Sequence, residues 1–283
     1  MRKGDWSMNT IKEAEFDYQA YMKEHAPELS EIHRGPEARL KRREAAILNN
    51  RGLDYHEAGD YHHAIEHFTK AIEINPNYAI AYNNRGVVRH QMGKYDLAIE
   101  DYNMAIQLKS VYAQAYNNRG SAYRDKKDYD HAIDDFNKAL ALKPDYAEPY
   151  YNRGTAYLRT GEFDRAIVDF NKALALETKL TEAYSNRGVT YVKKREVERA
   201  IVDYTKAVQL KPDYADAYYN RGEAWLILAE WEKAKADLIT AENLGFNVIS
   251  AFGIDYESVS DFEQKNRVKL PADIAAMLTP PQE

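Results

Sequence analysis

The chain has 283 residues, a hydrophobic share of 45%, no cysteine and a formal net charge of −6. The missing thiols exclude disulfide frameworks, thiolate metal sites and cysteine nucleophiles, and the acidic balance excludes a global field drawing the protein onto nucleic acid or an anionic membrane. No apolar run approaches the roughly 18 residues of a bilayer crossing, and Met1 to Thr10 lacks the apolar stretch of a secretory signal, so a soluble, cytoplasmic protein is expected.

In chain order, the first predicted element is a helix over residues 11–26, with Ile11, Phe16, Tyr18 and Tyr21 available to cover a neighbouring face. Gly35-Pro36 starts a second helix, expected to run through Leu40 into the segment that follows. Its basic run, Lys41-Arg42-Arg43, reads as a solvated helix face rather than a functional patch. From residue 45 the sequence repeats itself. The triplet Asn-Arg-Gly begins at Asn50, Asn84, Asn118, Asn152, Asn186 and Asn220, always 34 residues apart. With that glycine at position 8, the copies are 45–78, 79–112, 113–146, 147–180, 181–214 and 215–248.

Each copy carries alanine at positions 20 and 27, from Ala64 and Ala71 to Ala234 and Ala241. Large side chains hold position 24 (Phe68, Tyr102, Phe136, Phe170, Tyr204, Leu238) and position 4 (Leu48, then Tyr82, Tyr116, Tyr150, Tyr184, Tyr218). Small residues at 8, 20 and 27 with large rings at 4, 11 and 24 resemble the tetratricopeptide repeat. The resemblance covers residues 45–248 and implies an all-α fold: an α-solenoid, a right-handed superhelix of antiparallel helix pairs. Residues 1–44 and 249–283 are then helical caps, the latter with a tail. Two departures are local. Arg89 replaces the ring at position 11 of the second copy, and the loop proline at 32 becomes Ser110, Thr178 and Phe246, so the joints after repeats two, four and six are expected to bend differently.

Elementary packing leads to the same hairpin. Gly59, Gly93 and Gly161 at position 15, followed in most copies by Asp or Glu, mark a helix stop and restart. Folding about that turn brings 4 level with 27, 11 with 20, and 8 with 23 and 24, so rings meet alanine or glycine. One such hairpin cannot bury both faces, and stability requires stacked neighbours. Position 7 is arginine throughout (Arg51, Arg85, Arg119, Arg153, Arg187, Arg221), and position 23 is aspartate from the second copy onward (Asp101, Asp135, Asp169, Asp203, Asp237). An Arg–Asp pair within each repeat, bidentate and structural, is the expectation.

The resemblance implies that the first helix of each hairpin lines the concave side, with positions 2, 5, 6, 9, 12 and 13 facing the groove. Position 6 is the asparagine row Asn50, Asn84, Asn118, Asn152, Asn186 and Asn220, although asparagine is a poor helix former. These amides either hydrogen-bond the backbone of an extended peptide or bond a neighbouring repeat and stiffen the joint. Position 5 doubles the row with Asn49, Asn83 and Asn117, then changes to Tyr151, Ser185 and Tyr219. The first half adds His56, His90 and Arg124; the second gathers Glu148, Glu182, Asp216 and Glu223 beside Tyr151 and Tyr219, which favours a partner with basic residues. Chaperone-binding members of the family use a carboxylate clamp at positions 2, 5, 6 and 9, of which this chain keeps only the asparagine at 6, so recognition of an acidic C-terminal tail is not expected.

The expected function is a non-enzymatic scaffold or adaptor for a partner polypeptide, with no cofactor, metal, nucleic acid or membrane. Self-association or regulation through the caps is the alternative. A remoter one is a zinc hydrolase using His63, Glu66 and His67, because His63-Ala64-Ile65-Glu66-His67 matches H-x-x-E-H; that stretch, however, falls on ordinary repeat positions. After Gly245 the pattern dissolves. Ser260-Asp261-Phe262-Glu263 reads as a capping box and Pro271 as a helix start. Ile249, Phe252, Phe262, Leu270, Ile274 and Leu278 are available to seal the last hairpin.

Overall fold

The computed structural model describes residues 35–280, and the helix expected over 11–26 lies outside them. Those residues hold fifteen helices and no strand, arranged as consecutive antiparallel pairs in the manner of an α-solenoid. The chain divides into two units, Met1–Met92 and Gly93–Glu283.

In the first unit, α1 (Pro36–Glu57) and α2 (Tyr61–Ile74) form the hairpin of repeat one, and α3 (Ala79–Gln91) packs on α2. One unbroken helix of 22 residues therefore carries the chain from Gly35-Pro36 into the first repeat. Gly52 permits the close crossing: a Cβ there would lie 2.6 Å from the ring of Phe68, which is wholly buried. Burying such a ring stabilises by about 1.5–3 kcal/mol. Ala45, Ala71 and Ala81 fill the level below, against Leu48 and Tyr82.

The second unit begins with α4 (Tyr95–Leu108) and continues through the hairpins α5 (Ala113–Asp125) and α6 (Tyr129–Leu142), α7 (Ala147–Thr160) and α8 (Phe163–Leu176), α9 (Thr181–Lys193) and α10 (Val197–Leu210), and α11 (Ala215–Ile227) and α12 (Trp231–Asn243). The pairing of position 8 with 24 recurs at Gly120 and Phe136, Gly154 and Phe170, Gly188 and Tyr204, and Gly222 and Leu238. Each turn places position 15 in the left-handed region, from Gly161 at φ 84° to Lys127 and Arg195 at 65° and Ala229 at 58°. The conformation belongs to the fold, so three side chains adopt it where glycine would be unstrained.

The joints correct an expectation. After repeats one to five, the residue before position 32 adopts one extended backbone, φ −133° to −144°, whether proline (Pro76, Pro144, Pro212), Ser110 or Thr178 follows. Proline favours that geometry in its predecessor, but packing on both sides imposes it without proline. Only the sixth joint departs, with Gly245 at φ 87°.

The arginine column does more than the sequence suggests. Arg119, Arg153, Arg187 and Arg221 each hold the aspartate at position 23 of their own repeat through Nε and Nη2, at 2.6–2.8 Å. The remaining Nη1 donates to position 25 of the preceding repeat: Asn103, Asn137, Asn171 and Thr205, at 2.5–3.1 Å. In the first unit, Arg85 makes the same backward bond to Thr69, at 3.0 Å. Each of these guanidiniums also lies 5.5–5.6 Å from the centre of the position-4 tyrosine ring one turn earlier. In repeat one the aspartate is replaced by His67, and Arg51 is exposed.

After repeat six come α13 (Val248–Asp255), α14 (Val259–Asn266) and α15 (Ala272–Met277). The predicted capping box is displaced by two residues. Ser258, not Ser260, caps α14 by accepting from the Asp261 N–H at 3.1 Å, while the Asp261 carboxylate accepts from the Glu257 N–H. Pro271 is the cap of α15 rather than its first residue. Phe252, Phe262, Leu270, Ile274 and Leu278 are buried against Leu238 and Ala241 as expected, but Val248 is buried with them and Ile249 is only half-buried.

Candidate functional site: a groove along the first helices

Three of the position-6 amides are used between repeats. Asn84 Nδ2 donates to Asn49 Oδ1 at 3.0 Å, and Asn152 Nδ2 donates to Asn117 Oδ1 at 3.0 Å and Ser121 Oγ at 3.3 Å. Asn186 Nδ2 reaches the Tyr151 hydroxyl and Thr155 Oγ1, both at 3.3 Å. Positions 5 and 9 of one repeat thus accept from position 6 of the next. Asn49, Asn83, Asn117, Asn152 and Tyr219 are buried, Asn84, Asn118, Asn186 and Asn220 half-buried, and Asn50 exposed. A buried amide with both ends satisfied rigidifies its surroundings, and its loss leaves a costly orphan.

What remains open to a ligand lies on either side of that row. Three neighbouring cavities of about 650, 430 and 260 Å³ run along α5, α7, α9 and α11 and share Arg159. Arg124, Tyr151, Thr155 and Asn186 line the first, Val189 and Lys193 the second and third. Arg124 is held in place, donating to Asn152 Oδ1 at 2.7 Å and Asp125 at 3.0 Å. Of the acidic candidates, Glu148 is exposed yet engaged, by Asn117 Nδ2 at 3.0 Å and the Tyr146 hydroxyl at 2.9 Å. Glu182 and Asp216 are exposed near the starts of α9 and α11. Carboxylates therefore sit at the N-terminal ends of the first helices and cations at the C-terminal ends, the disposition that helix dipoles favour. Sequence reading separated charge along the groove and missed Arg159 and Lys193 at position 13, whose column is broken by Gln91, Asp125 and Ile227.

The groove ends at Glu223. The Tyr256 hydroxyl, just past α13, donates to its carboxylate at 2.6 Å, and Asp255 lies in the same cavity. Burial, with the nearby Asp255 charge, raises the Glu223 pKa to about 7, although the tyrosine bond and the Lys193 charge oppose the shift. No repeat column could reveal this environment, because α13 lies outside the repeat.

The H-x-x-E-H residues are engaged locally. His63 Nδ1 bonds Asp60 at 2.6 Å, Glu66 pairs with Lys70 at 2.5 Å, and the rings of His63 and His67 both stack on Tyr55 at 5.1 Å. Among the described residues, no three His, Asp or Glu side chains are grouped to hold a metal ion.

Tetratricopeptide-repeat models match residues 52–93, 120–161 and 191–226 in one form and 79–110 and 147–177 in another, together more than half of the chain. The chain belongs to the tetratricopeptide-repeat family. Among solved structures, the tetratricopeptide-repeat chain resembles MamA (29% identity, TM-score 0.52, covering 58% of this chain and 96% of that one). It is similar to YrrB, described as a TPR protein with an unusual peptide-binding site (29%, TM-score 0.51, 62% and 91%). PilF of Pseudomonas aeruginosa shares the fold at 20% identity (TM-score 0.64, 80% and 98%). Comparison with curated proteins finds no match. Tetratricopeptide repeats are generally interaction modules rather than catalysts, which makes a protein–protein interaction scaffold the coarse functional class. No helix among the described residues is long and apolar enough to cross a membrane.

Proposed function

We propose that this tetratricopeptide-repeat protein holds an extended segment of a partner protein in the groove along α5, α7, α9 and α11. The observation that supports this is the run of three cavities sharing Arg159, lined by polar and charged side chains. The amide row beneath serves as a rigid floor that keeps the two edges apart, so the ligand meets a pre-formed surface and less ordering cost is incurred on binding. Basic side chains of the partner belong beside Glu182 and Asp216. The peptide-binding description attached to YrrB is consistent with this use of the fold.

A photo-crosslinking residue tests the reading. Placed at Val189, which lines two of the cavities, it should capture a partner protein. Placed at Val168, exposed on the second helix of its repeat, it should not. Equal capture at both positions, or capture at Val168 alone, rejects the groove.

A further inference from the structure

The groove has a cationic edge. Arg159 and Lys193 occupy position 13 in consecutive repeats and line cavities in common. Neither has a hydrogen-bond or ion-pair partner among the described residues, and both are exposed. Several nearby cations are paired, Lys126 with Asp96, Arg165 with Glu162, Lys194 with Asp164 and Glu196, Arg199 with Glu196, while Lys127, which lines the first cavity with Arg159, is exposed.

We propose that Arg159 and Lys193, with Arg124 behind them, form a docking edge for an acidic extended protein segment whose side-chain carboxylates bridge consecutive repeats. This rests on the groove reading and names the partner's chemistry along one edge. Arg124, already committed to Asn152 and Asp125, contributes field and shape; Arg159 and Lys193 contribute the new ion pairs. A guanidinium takes a carboxylate with two parallel donors, which Arg159 has free, while Lys193 acts as a point charge that tolerates either oxygen. These residues stand at positions 12 and 13, apart from positions 2, 5, 6 and 9, so a chain-terminal carboxylate is not required. The cationic island is short. Asp125 lines its first cavity, and Glu223 and Asp255 line its last. A few side-chain carboxylates fit between Asp125 and Asp255, whereas a continuous phosphate backbone would meet repulsion at both ends.

Fluorescent decaglutamate and a ten-nucleotide oligothymidylate are the probes, titrated by anisotropy at low salt and again at about 0.5 M, where the Debye length falls to a few ångströms. Wild type is compared with Arg159→Glu/Lys193→Glu and with the neutral Arg159→Gln/Lys193→Gln, which guards against an effect of reversed charge on folding. Decaglutamate should bind wild type, bind roughly tenfold more weakly to both double variants, and dissociate in salt. The proposal is overturned if both variants bind decaglutamate as wild type does. Tighter oligothymidylate binding through the same two residues overturns it in favour of a nucleic acid. If wild type fails to bind decaglutamate, the proposal falls, and the Val189 crosslink decides what falls with it: continued partner capture leaves the groove reading standing, and loss of capture removes both.

Discussion

Arg153 grips Asp169 with Nε and Nη2, both at 2.7 Å, and with its third nitrogen reaches back 2.5 Å to Asn137 in the preceding repeat. Asp169 is almost entirely buried. Removing the arginine alone leaves that carboxylate without its cation, and the expected cost is about 3 kcal/mol. Replacing both residues with leucine removes the orphan and should recover much of the loss. Urea unfolding of Arg153→Ala, Asp169→Leu and the double leucine variant checks this; a double variant no more stable than Arg153→Ala would contradict it.

Gly188 lies so close to Tyr204 that an added Cβ would sit 2.6 Å from the ring, whereas at Gly222 the nearest atom, on Leu238, is 3.1 Å away. Overpacking of a buried ring costs about 1–3 kcal/mol, against a gain of up to about 1 kcal/mol from placing alanine in a helix. Gly188→Ala should therefore lower the melting temperature, and Gly222→Ala should lower it less. Equal shifts would mean that the ring at Tyr204 can move aside.

Ala229 occupies a left-handed turn, φ 58°, at the position where Gly161 occurs two repeats earlier. Relief of that strain outweighs the extra unfolded-chain entropy of glycine, so Ala229→Gly should stabilise by up to about 1 kcal/mol. A drop in stability would show that the alanine methyl makes a contact worth more than the strain.

Glu223 sets a pH dependence with a definite sign. Its pKa is raised in the folded state to about 7 from an ordinary 4.5. The folded chain therefore holds a proton that the unfolded chain has released between those values, and stability from this group falls as pH rises through the interval, then levels. Glu223→Gln keeps a neutral hydrogen-bonding partner for Tyr256 and has no such slope. Melting temperatures from pH 5 to 8 should show the variant gaining on wild type until about pH 7; a constant difference would mean that the carboxyl is not perturbed.

Much of the fold was legible because the repeat reports intrachain packing directly. A column of glycine at 8 facing a column of rings at 24 states a contact, and Gly154 and Phe170 make it. The Arg–Asp pair was readable for the same reason, since both members recur in one copy. Relationships between copies were harder. The Asn103, Asn137, Asn171 acceptors at position 25 run parallel to the arginines and signal a partner, but only the geometry of stacking says that the bond reaches backward. The asparagine row posed the same problem, since one column serves equally well for a ligand or a neighbour until the acceptors at positions 5 and 9 are seen beside it. Arg159 and Lys193 escaped because their type does not recur at position 13 in the other copies.

The backward bond of the arginine column makes the third, fourth and fifth repeats interchangeable in a literal sense. Each presents an arginine plug to the repeat before it and an asparagine or threonine socket to the repeat after it: Arg119 fits Asn103, Arg153 fits Asn137, Arg187 fits Asn171 and Arg221 fits Thr205. A duplicated copy of residues 147–180 inserted after residue 180 would find both connectors already in place. The length of this array is thus free to change by whole 34-residue modules without redesign of any joint.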